Sequence, residues 1–141
     1  MSPGLAAALA AEEAAIYAYG LIGVHLAGDT DRAEARSAEA VHRARRDVLV
    51  SRLDQLKAST APAPAGYDLP FPVTGRDSAL ELAIHVEDGV AQAWRAALPE
   101  TAGADRSTSL GALTDAAVRA TRWRRLAGVT PLTMPFPGRP S

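Results

Sequence analysis

The sequence predicts an all-helical four-helix bundle whose second and third helices are joined by one long crossover. Three observations carry this. Four stretches place apolar residues at three- and four-residue steps, the spacing of one helix face. Hydrophobic residues are 48% of the chain but aromatics only 5%. The apolar content is therefore mostly Ala, Leu and Val, which suits close-packed helices rather than a sandwich. Between the second and third stretches lies STAPAPAGYDLPFPVTG, residues 59–75, where Pro62, Pro64, Pro70 and Pro72 exclude helix and favour extended backbone. Only short breaks separate the helices within each pair, so the long gap makes helices 2 and 3 parallel.

The first helix is expected over 3–27. Ser2 caps it and Pro3 takes the first helical position, where its missing N–H is harmless. Leu5, Leu9, Glu12, Ile16 and Tyr19 share one face, and Gly28 is placed to take a left-handed C-terminal conformation. The second helix, 31–58, opens at Thr30 or Asp31, and Asp31 with Glu34 has capping-box spacing. Its seam reads Ala35, Glu39, His42, Arg46, Leu49, Leu53 and Leu56. In the crossover Tyr67, Leu69 and Phe71 alternate and can lie along the bundle. Neither flanking half could bury its own helices, so the segment is read as a crossover within a single domain, 1–141, rather than as a linker.

The third helix, 75–98, starts at Thr74 (with Asp77) or Ser78 (with Glu81) and stops at Pro99. Its seam is Leu80, Ile84, Glu87, Ala91, Trp94 and Leu98. The fourth, 107–127, starts at Ser107 or Ser109, places Leu110, Leu113, Ala117, Ala120 and Arg124 on one face and ends at Gly128. A proline-rich tail, 129–141, packs on the same bundle or on a neighbouring subunit.

A chain of 141 residues can bury a sizeable core. Net charge is −1, so no global basic field recruits nucleic acid. With no cysteine, disulfides, Cys-ligated zinc and iron–sulfur clusters are excluded. The N-terminal stretch has no positive region, and Glu12 and Glu13 interrupt its apolar run. These features argue against a signal peptide or membrane span, and a cytoplasmic protein is expected.

Chemistry concentrates at Glu39 and His42, an i, i+3 pair that can reach one ion. Glu12 or Glu13 on helix 1 and Glu87 on helix 3 lie on or beside the inward stripes. These pieces, ALAAEEAAIYAYG, AVHRARRD, YDLPFPVTG, HVEDGVAQAWRAAL and LTDAAVRATRWR, resemble the ferritin-like superfamily, and more narrowly an uncharacterised alanine-rich bacterial family within it. The resemblance implies a left-handed crossover, a homodimer, and in metal-binding relatives a Glu from helices 1 and 3 with Glu-x-x-His from helices 2 and 4. Carried over, the ligands would be Glu12 or Glu13, Glu39, His42 and Glu87.

Helix 4 departs from that pattern, since over 107–127 it has no Glu or His and its only carboxylate is Asp115. A dinuclear centre would lack half of its second ligand set. Pairing helices 1 and 2 about Gly28 sets Glu13 level with His42 or Arg46 and Glu39 about a turn away. Arg46 then points into the same layer and favours ion pairing over a cation. The expectation is a degenerate metal site in a non-catalytic structural or interaction module. The first alternative is a mononuclear iron, manganese or zinc site built on the same residues. The second is nucleic-acid binding through Arg119, Arg122, Arg124 and Arg125 around Trp123, which the acidic net charge disfavours in favour of a solvated face.

Overall fold

The computed structural model describes residues 3–140; the Ser2 cap lies outside them. Four helices follow in order: α1 (Pro3–Val24), α2 (Asp29–Gln55), α3 (Arg76–Ala97) and α4 (Gly103–Ala127), with a single 3-10 turn at Leu98–Glu100. One apolar cluster joins the start of α1 (Leu5, Leu9), the end of α2 (Leu49, Leu53), the end of α3 (Trp94, Ala97) and the first half of α4 (Ala112). A second joins the end of α1 (Ile22), the start of α2 (Ala35, Ala38), the start of α3 (Leu80, Ala83) and the end of α4 (Trp123). The two middle helices are therefore parallel, with α1 and α4 running the other way. The crossover spans a bundle about 33 Å long, by the rise per helical residue. Its Leu69, Phe71 and Val73 pack on the second cluster, and Tyr67 lies against Tyr17 of α1 with ring centroids 5.2 Å apart. The expected alternation along this segment is present.

By length and composition alone α1 could cross a bilayer. In the bundle, however, its inward face carries the buried Glu12, which belongs to a core helix rather than a lipid-facing one.

Several helix ends differ from expectation, each for a local reason. Helix α1 stops at Val24, and Leu26 turns in to become fully buried. Its carbonyl accepts a hydrogen bond from Arg32 Nε at 2.7 Å. Gly28 is extended (φ −78°, ψ 141°) and serves as the N-cap of α2, not as a left-handed cap of α1. Asp31 forms an ion pair with Arg76 rather than a capping box. Helix α3 is capped at Gly75 rather than at Thr74 or Ser78; Ser78 lies three residues further on, its hydroxyl accepting from the backbone N–H of Thr74 and Gly75. Helix α4 begins at Gly103, four residues earlier than expected, so Ser109 lies inside it: buried, its hydroxyl donates to the Asp105 carbonyl one turn back. Gly128, in the left-handed conformation (φ 70°), closes α4 as expected.

Helix α2 closes the same way without a glycine. Lys57 has φ 54°, and the N–H groups of Lys57 and Ala58 bond to the carbonyls of Asp54 and Leu53, both at 3.0 Å. This is a Schellman ending with an exposed lysine where glycine relieves the Cβ clash. Lys57→Gly is expected to stabilise the protein by about 1 kcal/mol, read as a higher urea midpoint with an unchanged slope.

Candidate functional site: a buried carboxylate–imidazole layer

Between the two apolar clusters sits a polar layer. Glu12 from α1, His42 from α2 and Glu87 from α3 are each completely buried. His42 lies between the two acids: its Nδ1 is 2.6 Å from Glu12 Oε2 and its Nε2 is 2.8 Å from Glu87 Oε2. A neutral imidazole carries one N–H and could donate to only one of them. Between two carboxylates, the imidazolium is the form that satisfies both contacts, since it donates to each. Burial disfavours that charge, but the hydrogen bonds to Glu12 and Glu87 and their negative charges outweigh it and raise the pKa of His42 from 6.5 to about 9.

Buried aromatic donors add to the acids' shells. Trp94 Nε1 donates to Glu12 Oε1 at 3.0 Å. The Tyr19 hydroxyl donates to Glu87 Oε2, and Trp123 Nε1 donates in turn to the Tyr19 hydroxyl at 2.9 Å. Tyr19 also stacks on His42, with centroids 5.6 Å apart. Burial first, and then the neighbouring Glu87 charge, push the Tyr19 phenol well above its usual pKa, so it stays a neutral donor.

Arginines carry the layer outward to α4. Arg119 approaches Glu87 Oε1 at 3.6 Å and donates to Asp115 at 2.7 and 3.2 Å. Arg45 stands 4.0 Å from Glu12 and bonds Asp115 at 3.2 Å. Burial would raise Asp115, yet the hydrogen bond from Arg119 and the charges of Arg119 and Arg45 hold it below the usual carboxylate range. Three carboxylates (Glu12, Glu87, Asp115) thus face three cations (His42, Arg45, Arg119), and the layer is neutral as a unit. Helices α2 and α4 approach each other less closely than the other neighbouring pairs. Long ion pairs bridge that seam, among them the forked Arg52–Asp105 contact, both bonds 2.9 Å.

Of the five residues expected to hold an ion, Glu12, His42 and Glu87 come together and Glu13 and Glu39 do not. Glu39 faces outward and pairs with Arg43 at 3.3 Å. Glu13 lies on the flank of α1, where its charge helps raise the Tyr67 pKa after burial. Arg46 likewise pairs with its neighbour Asp47, and Arg45 takes the inward place. The buried face of α2 is Ala35, Ala38, His42, Leu49 and Leu53, so its phase is set by Ala38 rather than Glu39. Alanine is small enough to be buried without a partner, whereas an inward Glu39 would need one.

On α4 the expected face is met in part: Leu113, Ala120 and Arg124 are buried, Leu110 is exposed, and Ala112, Ala116, Arg119 and Trp123 are buried as well. The basic stripe is largely paired. Arg119 joins the layer, Arg124 is buried against Asp88, and Arg122 pairs with Glu34.

Comparison with known proteins places this architecture. A sequence model described as a domain of unknown function, DUF4439, matches residues 4–141. The chain belongs to the DUF4439 family. This DUF4439 chain is similar in structure to a conserved hypothetical protein, rv2844, from Mycobacterium tuberculosis. That similarity has a TM-score of 0.82 at 38% identity and covers 87% of this chain and 93% of the other. No curated protein matches it.

Proposed function

We propose that the chain is a non-catalytic, ferritin-like structural or interaction module in which an imidazolium occupies the place a metal ion takes in metal-binding bundles of this kind. The observation that supports this most strongly is the position of His42 between its acids. Its two ring nitrogens point to opposite sides, and each already meets a carboxylate. A single ion could take one nitrogen and one acid, but not both acids together. Among the described residues no group of three or more His, Asp or Glu side chains has the arrangement to hold a metal. Glu87 Oε1 is, among the described residues, the buried side-chain oxygen without a hydrogen bond. It faces the Arg119 guanidinium, which repels a cation. The residues therefore do not fit iron, manganese or zinc.

The test is elemental analysis of protein expressed with iron, manganese and zinc supplied, together with melting curves with and without EDTA. Metal content far below one ion per chain and an unmoved melting temperature are expected. Stoichiometric metal that is lost in His42→Ala would replace this reading with a mononuclear site.

A further inference from the structure

From the outer faces of α3 and α4 and the C-terminal tail, we infer a second site: a groove that binds a small amphiphilic carboxylate, its apolar body against α4 and its acid group at Arg95. This goes beyond the reading above, and its lining includes none of Glu12, His42 and Glu87.

The tail is a strap pinned at both ends. At one end Gly128 closes α4. At the other, Arg95 Nη1 donates to the Pro137 carbonyl at 3.0 Å. Gly138, at φ 79°, lies so close to α3 that an added Cβ would sit 2.5 Å from the Ala91 carbonyl oxygen. Between these anchors residues 133–137 border a half-open groove of about 900 Å³, within the range of small-molecule sites. A strap merely covering the bundle would press its apolar side chains onto it. Here Met134 and Phe136 remain 42% and 56% exposed while bordering the cavity.

The lining specifies the ligand. Leu113, Ala117 and Val118 from α4 and Met134 and Phe136 from the strap form the apolar wall. The hydroxyls of Thr114 and Thr121 donate to carbonyls of their own helix. The charged lining is three guanidiniums, Arg95, Arg124 and Arg139, against one carboxylate, Asp88, with the His85 imidazole and the Gln92 amide as further polar groups. Arg124 is engaged with Asp88, and Arg139 stacks over Phe136 at 5.6 Å. Among the described residues Arg95 has no carboxylate partner, and its planar fork suits a carboxylate. Net positive charge around an apolar slot selects an anion with a hydrocarbon or aryl body over a cation of the same shape.

Calorimetric titration of the full chain with decanoate, and separately with decyltrimethylammonium, tests this. Saturable one-to-one binding of decanoate is expected, with none of the cation. Ala117→Trp, which fills the cavity, and Arg95→Met, which removes the guanidinium, should each weaken decanoate by about tenfold or more while the melting temperature stays near that of the parent. Absence of saturable decanoate binding, equal binding of the cation, or unchanged affinity in a folded Arg95→Met would overturn the assignment.

Discussion

Replacing His42 by alanine is expected to cost about 3–5 kcal/mol of stability, the range for a buried ion pair deprived of one partner. The loss is not that of an imidazole's packing. Glu12 and Glu87, both fully buried, would be left with no cation between them, and their remaining shells hold only Trp94, Tyr19 and two arginines at 3.6 Å or more. The charge origin of the loss is separable. Adding Glu12→Gln and Glu87→Gln to His42→Ala should recover part of the stability, because the residual repulsion is removed, whereas in the presence of His42 the same two changes should destabilise. Urea denaturation of the four proteins gives the coupling directly. A loss in His42→Ala below about 1 kcal/mol, the size of an ordinary net hydrogen bond, would show that the layer is not held by the imidazolium.

Stability should also fall between neutral and alkaline pH. Because the pKa of His42 is raised on folding, from 6.5 to about 9, its contribution is fully present below pH 6.5. It declines as pH rises through the window and is gone above about 9. At 1.36 kcal/mol per pKa unit the whole change is about 3 kcal/mol. Tyr19, raised further by burial and Glu87, stays neutral across that window and adds no slope there. Asp115, held low by Arg119 and Arg45 after burial is offset, acts only in acid, where its contribution is lost as pH falls. Urea midpoints from pH 6 to 9.5 should therefore decline in the parent and stay flat over this range in His42→Gln. A parent as stable at pH 9.5 as at pH 6.5 would contradict the argument.

The bundle was legible because its strongest cues are local. The prolines of 62–72 cannot be helical, and Gly128 and Pro99 end their helices where expected. The inward faces of α1 and α3 followed from large residues at regular steps: Leu5, Leu9, Glu12 and Tyr19 on one, Leu80, Glu87 and Trp94 on the other. Helices α2 and α4 were harder because they are built of alanine and arginine. Alanine fits on either side of a helix, so it fixes no phase, and a buried arginine looks like a surface one until its partner is seen. Arg119 pairs with Asp115 only one turn away, a spacing visible in the sequence. That Arg45 reaches the same aspartate across 70 residues was not visible. Nor could sequence show that Glu12 and Glu87 meet opposite nitrogens of His42, since the spacing that suggests a chelate equally suits a bridging imidazolium.

Nitrogen-15 NMR of the His42 ring reads whether it is a doubly protonated cation held between two acids. At pH 7 both Nδ1 and Nε2 should carry a proton, titrate together near pH 9, and remain unshifted when zinc is added. A single protonated nitrogen at pH 7, or a shift of the ring signals at one equivalent of zinc, would contradict it.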